Sequence, residues 1–232
     1  SGLVTKVKYN EKGVDAFFKK YEYDEDNRLI AMYTSTDDVV WEKDVEYEYY
    51  AHGPLKRRII GEDKIQGIDY TYTINGWLKG INSPDLNAAN DPGGDGFSQG
   101  TASDLFAMAL NYHNADFNRT GSVFNSDNNL SLGNSDELFG GNISSWASNM
   151  DVTGEGLSGY KYRYDVLGRI KQANFNEYSG GDWASTTDYA TAYSYDANGN
   201  LTWLKRNADD ATGLEMDKLS YHYNSGNNQL EY

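Results

Sequence analysis

The string Gly96-Phe97-Ser98-Gln99-Gly100 has the G-x-S-x-G spacing of a nucleophile elbow, in which a strained strand-to-helix turn lifts a serine towards a histidine. That turn needs an apolar strand before it, and here Ala-Ala-Asn-Asp-Pro-Gly-Gly-Asp-Gly comes first, with His52, His113 and His222 as the only histidine bases in the chain. A loop serine is the better reading of Ser98. Asp196-x-Asn198-x-Asn200 opens like a calcium loop, yet Leu201 and Asn207 stand where such a loop has its glycine and its bidentate glutamate. Asp91 and Asp95 flank a glycine pair in Asn-Asp-Pro-Gly-Gly-Asp-Gly, where carboxylates can converge on a hard cation. Calcium near Asp91 and Asp95 is therefore the one cofactor left open, and none is otherwise expected. The three histidines are far apart and lack metal-ligand spacing, and the absence of cysteine removes disulfides and thiolate sites together.

Charge narrows the partners. At a formal net charge of −15 the chain repels phosphate backbones and anionic lipid, and its densest basic run is only Lys56-Arg57-Arg58. Nucleic acid is not an expected partner. No apolar run is long enough to insert in a membrane as a helix, and Ser-Gly-Leu-Val-Thr-Lys-Val at the start lacks the apolar core of a signal peptide. An aromatic content of 14% is well above that of solvated linkers, so the chain is expected to fold.

The elements that position these residues come from a repeat. Tyr-x-Tyr occurs at Tyr21/Tyr23, Tyr47/Tyr49, Tyr70/Tyr72, Tyr162/Tyr164, Tyr193/Tyr195 and Tyr221/Tyr223, which accounts for 12 of the 20 tyrosines. Counting from the residue after each pair, the third position on is Asn27, Gly53, Gly76, Gly168, Gly199 and Asn227. The fifth is Leu29, Leu55, Leu78, Ile170 and Leu201, while the sixth copy has Gln229 there and Leu230 one place late.

That spacing reads as a β-hairpin. Tyrosines two apart share one face of a strand. Asp24, Asp165, Asp196 or Asn224 then opens a type I turn, because its side chain accepts from the backbone two residues on. The Gly or Asn that follows takes the left-handed position, and the apolar residue starts the return strand. Tyr50 and Thr73 replace the aspartate in two copies, and Pro54 follows Gly53, so those turns are expected to be less regular. The exposed faces of the rings could also stack on sugars, but their strict period favours a structural ladder.

Between the third and fourth copies the spacing opens to 92 residues, so 1–82 holds copies 1 to 3, 83–159 a mainly irregular insertion rich in Gly, Asn and Ser, and 160–232 copies 4 to 6. Within the insertion, Ser103-Asp-Leu-Phe-Ala-Met-Ala-Leu-Asn-Tyr-His113 fits a short helix capped by Ser103 or a strand.

Here the residues resemble a family. Tyr-Arg-Tyr-Asp165-Val-Leu-Gly-Arg-Ile and Tyr-Ser-Tyr-Asp196-Ala-Asn-Gly-Asn-Leu look like the tyrosine-aspartate motif of the Rhs/YD-repeat superfamily, with Tyr-Glu-Tyr-Asp24-Glu-Asp-Asn-Arg-Leu a close third. The run from Asp104 to Phe117, followed by Phe139-Gly140-Gly141-Asn142-Ile143-Ser-Ser-Trp146, looks like the insertion in some bacterial members. The resemblance implies an all-β fold of consecutive antiparallel hairpins, part of a spiralling open sheet or hollow shell and a fragment of a larger array. It implies a secreted or cell-surface bacterial protein and a non-catalytic role. The shell would enclose a polypeptide cargo of toxin type, with the rest of the array, that cargo, or secretion machinery at the sheet edges as partners. Adhesion, or glycan or protein binding at the cell surface, is the alternative. The family's terminal Asp-Pro-x-Gly signature is lacking, Asp91-Pro92-Gly93 having only a passing likeness, so no self-cleavage residue carries over.

Overall fold

The computed structural model describes residues 2–96, 100–125, 130–134, 136–151, 154, 156–209 and 215–231. The Gly96–Gly100 elbow therefore has its central residues, Ser98 included, outside the described residues. The fold is all-β: β1 (Lys6–Tyr9), β2 (Phe17–Tyr23), β3 (Leu29–Ser35), β4 (Glu42–Tyr49), β5 (Leu55–Ile60), β6 (Gln66–Tyr72), β7 (Leu78–Ile81), β8 (Phe106–Asn111), β9 (Ser145–Met150), β10 (Ser158–Tyr164), β11 (Ile170–Ser179), β12 (Asp182–Ser185), β13 (Thr191–Tyr195), β14 (Leu201–Asn207), β15 (Glu215–Ser220), β16 (His222–Tyr223) and β17 (Leu230–Glu231). Strand neighbours follow chain order in an open antiparallel sheet, with β12 paired to β11 off that path and β16–β17 a separate ribbon. The run around Ser103 is the strand β8, and β9 is the other strand lying wholly within the expected insertion. The chain forms two compact units, residues 1–71 with 80–107 and residues 72–79 with 108–232.

Each tyrosine pair closes a hairpin at the predicted place. Asn27, Gly168 and Gly199 donate their backbone N–H to the carbonyls of Asp24, Asp165 and Asp196 at 3.0, 3.0 and 3.2 Å. All three donors have positive φ, at 63, 77 and 91°. The aspartate side chains do the rest: Asp165 Oδ1 accepts from the N–H of Leu167 and Arg169, while Oδ2 accepts from Arg169 Nε at 2.6 Å. Asp24 binds Asp26, Arg28 and the Arg28 guanidinium in the same way, and Asp196 binds Asn198, Asn200 and the Asn200 amide. These bonds hold all three carboxyls below the usual carboxylate range: Asp24 chiefly through the backbone N–H of residue 28, Asp196 chiefly through the Asn200 side chain, and Asp165 against desolvation, its largest single influence, through the combined bonds of Arg169 and Leu167. Beyond each turn the ladder slips by one residue beside the second tyrosine, at Glu22/Tyr23, Arg163/Tyr164 and Ser194/Tyr195, which is the bulge that a three-residue loop imposes.

The two copies without aspartate keep the same backbone turn, contrary to the expected irregularity. Gly53 N donates to Tyr50 O and Tyr50 N to Pro54 O; Gly76 N donates to Thr73 O and Thr73 N to Trp77 O. The left-handed glycines, at φ 114 and 80°, fix the turn without the carboxylate, and Thr73 Oγ1 accepts from Trp77 N in its stead. Pro54 contributes only its carbonyl, so its missing N–H costs nothing here. In the sixth copy the extra residue moves the left-handed position from Asn227 to Asn228, at φ 60°.

Apolar burial is modest. In the first unit Phe18, Ala31 and Val45 are buried; in the second, Ala109, Val123 and Phe124 form one cluster and Leu132, Ala147 and Leu157 another. Replacing Gly168 with valine places a β-branched residue at positive φ and is expected to cost about 1–3 kcal/mol of stability. Thermal melting checks this, and an unchanged midpoint would show that the turn does not require a left-handed residue.

Candidate functional site: the hairpin interlock and a buried acidic cluster

The second tyrosine of a pair reaches out of its own hairpin. Tyr49 Oη donates to the Leu29 carbonyl at 2.7 Å, Tyr195 to Ile170 at 2.9 Å and Tyr223 to Leu201 at 3.1 Å. Each acceptor is the fifth-position residue of the preceding copy, two places after its left-handed residue, where the bulge turns that carbonyl out of the ladder. The residue between them joins the same contact. The guanidinium of Arg28 lies 4.8 Å from the Tyr49 ring centroid and that of Arg169 lies 4.6 Å from Tyr195, each a cation–π contact. Arg169 also donates to the Asp196 carbonyl at 3.1 Å, and Asn200 donates to the Asn228 amide oxygen at 2.5 Å. At these three junctions the earlier turn is thus gripped by the later one.

Two further tyrosines use acceptors outside the recognised copies. Tyr23 donates to the Val4 carbonyl at 2.9 Å, and Tyr164 to that of Ile143 at 2.7 Å. Ile143 follows Gly141, at φ 90°, by two residues, as Ile170 follows Gly168. Phe139–Ile143 is therefore a degenerate copy of the turn, and it escaped sequence reasoning because no Tyr-x-Tyr precedes it; the Gly-Asn-Ile string was its only signal.

The remaining repeat tyrosines are half-buried in or beside strands: Tyr21 on β2, Tyr47 on β4, Tyr70 and Tyr72 on β6, Tyr162 on β10, Tyr193 on β13 and Tyr221 beside β16. Along β10 the rings of Tyr160, Tyr162 and Tyr164 follow one another at 6.3 and 6.4 Å between centroids, and Trp146 Nε1 donates to Tyr162 Oη at 2.6 Å. The histidines do not converge: His52 stacks on Tyr50, His113 on Phe139, and His222 lies in β16.

Asp91 and Asp95 belong to a buried ionic cluster. Burial alternates along β6 so that Gly67, Asp69 and Thr71 face inward, and Asp69 meets Arg57 from β5. Arg57, Asp69 and Asp95 are 5%, 2% and 1% exposed, and the Arg57 guanidinium pairs with both carboxylates. Asp69, Asp91 and Asp95 each offer an oxygen within 4.8 Å of the others, a spacing compatible with a cation. Asp91 Oδ2 accepts from the N–H of Gly93 and Asp95, at 2.8 and 2.9 Å. A β-carbon at Gly67 or Gly93 would collide with Arg57, so these two glycines admit the guanidinium. Burial pushes the Asp69 carboxyl up to about 7 against the pull of Arg57. Burial, helped by a hydrogen bond with Asp91, pushes Asp104 up to about 8. Sequence reasoning found Asp91 and Asp95 from their glycine loop but took Arg57 for part of a basic run.

No family model and no curated protein matches the sequence. Among solved structures, a crystal structure of TcdB2-TccC3 without its hypervariable C-terminal region is similar over 94% of this chain and 9% of its own, at 15% identity and a TM-score of 0.58. TcdB2-TccC3-Cdc42 matches over 94% of this chain and 11% of its own, at 13% identity and a TM-score of 0.44. A Photorhabdus luminescens Tc holotoxin pore matches over 90% and 11%, at 11% identity and a TM-score of 0.34. The chain thus spans about a tenth of the length of these structures, and the first of them shows the fold that it shares.

Tyr195→Phe removes one interlocking bond and is expected to cost about 0.5–1.5 kcal/mol, read by chemical denaturation against the same change at Tyr193. Asp104 binds its proton more tightly folded than unfolded, so its contribution to stability is complete below its ordinary value of 3.8 and is lost as pH rises through about 8. The melting temperature is expected to fall between about pH 5.5 and pH 8.5, and less so in Asp104→Asn. Equal slopes would mean that Asp104 is ionised throughout.

Proposed function

We propose that this chain is a non-catalytic wall segment of an Rhs/YD-repeat shell of toxin type, carried in a longer secreted bacterial polypeptide and enclosing another part of it. The observation that carries this reading is the interlock, in which the hydroxyl of one copy closes on the carbonyl of the copy before it, at Tyr49–Leu29, Tyr195–Ile170 and Tyr223–Leu201. A connection that repeats from hairpin to hairpin extends a wall by addition, each unit needing only its neighbours. The fold shared with a TcdB2-TccC3 chain supports it, and so does that protein's hypervariable C-terminal region, the kind of segment such a wall would enclose. In this role Arg57 supplies the positive charge that the acidic cluster needs, and no resident metal is required. The partners are the flanking hairpins of the same array and the enclosed segment.

Protease digestion of the full-length polypeptide tests the proposal. A segment outside the repeats should survive while the repeats stay folded and be cut once they are denatured. Equal cleavage in both states overturns enclosure and favours surface binding. The isolated residues 1–232 are expected to associate through their edge strands in light scattering at tens of micromolar. A monodisperse monomer would show a self-contained domain instead.

A further inference from the structure

Lys79 is the most deeply buried large side chain of the second unit, 1% exposed, and the hairpin interlock does not use it. It lies on β7 beside β8, which carries Asn111, 4% exposed; Asp116, 8% exposed, follows in the loop. Lys79 Nζ is 2.7 Å from Asn111 Oδ1 and 2.8 Å from Asp116 Oδ1. A buried ammonium has three protons to place, and a carboxylate alone does not take them all. Here a side-chain amide is fixed against the same amine: Asn111 Nδ2 donates to Ser145 Oγ at 2.8 Å, and Oδ1 also accepts from Ser131 Oγ at 3.0 Å, so the carbonyl faces Lys79. Asp116 is anchored by its other oxygen, which accepts from Tyr112 N at 2.8 Å.

We propose that Lys79 and Asn111 join in an intramolecular isopeptide bond, with Asp116 carrying the proton. Burial depresses the Lys79 pKa, chiefly by desolvation and against the pull of Asp116, which favours handing the ammonium proton to that carboxylate. The neutral amine attacks Asn111 Cγ, and the oxygen that gains charge is held by the hydroxyls of protonated Asp116 and Ser131. Nζ gives up a second proton as the bond to Nδ2 breaks, and Nδ2 leaves with the protons relayed through Asp116. One C–N bond forms, one breaks and one ammonia is released, with no oxidant or co-reactant. A cavity of about 120 Å³, lined by Lys79, Asn111, Asp116 and Ser131 among others, adjoins the site and can take the ammonia. The product staples β7 to β8 across 32 residues of sequence in a protein without cysteine.

Intact-mass measurement of the purified chain in denaturant decides this without depending on how any variant folds. The expected mass is one ammonia below that of the sequence, with a branched peptide joining Lys79 to Asn111 after digestion. Lys79→Arg and Asn111→Ala should each restore the full mass, and Asp116→Asn should abolish or markedly slow the loss. The full sequence mass, a loss of ammonia without a branched peptide, or a loss of water with Lys79 joined to Asp116 would each overturn the proposal.

Discussion

A hydrogen bond from a tyrosine hydroxyl to a backbone carbonyl contributes about 1 kcal/mol in most settings, and here its position matters more than its strength. The carbonyls of Leu29, Ile170 and Leu201 are turned out of the ladder by the bulge that the left-handed residue creates. Where the residue is half-buried, as at Leu29 and Leu201, a carbonyl left without a partner would cost more than the bond gains. The hydroxyl of the next copy satisfies it. Turn, bulge and tyrosine are therefore one device: the left-handed Gly or Asn creates the exposed acceptor, and the second tyrosine exists to reach it. The arginine at residue 28 or 169 then covers the ring from the other side.

This dependence explains what was legible. The tyrosine period and the aspartate-to-glycine spacing are local, and they gave the hairpins and the left-handed positions of the first five copies, while in the sixth the extra residue moves that position from Asn227 to Asn228. Tyr50 and Thr73 misled because the turn looked as though it needed its aspartate, when Gly53 and Gly76 suffice. The degenerate turn at Gly141 was hidden because only its second half is kept. The buried face of β6 is not announced by its sequence, since Gly67, Asp69 and Thr71 are more buried than Ile68, Tyr70 and Tyr72. Polar burial is set by partners distant in sequence, and no periodicity in β6 announces Arg57 or Asp95.

The two buried cations show how the fold tolerates charge inside. Arg57 is matched by two carboxylates and leaves Asp104 to hold a proton beside Asp91. Lys79 is matched by one carboxylate and one amide, beside a cavity that Phe117 and Phe124 also line. A cation stripped of water in this way must keep its partner, so both clusters fix strand register where the apolar contacts are few.

The interlock also has a direction. For the second tyrosine of a pair, the hydroxyl belongs to the later hairpin and the carbonyl to the earlier one at Tyr49, Tyr195 and Tyr223, while Tyr50 Oη donates the other way, to the Tyr70 carbonyl. A ribosome releases the acceptor before the donor. At these three junctions a hairpin emerging from the exit tunnel therefore finds its docking carbonyl already made, whereas Arg57 and Lys79 must wait for Asp95 and Asp116. Synthesis and this part of assembly run the same way, so these hairpins can be added one after another.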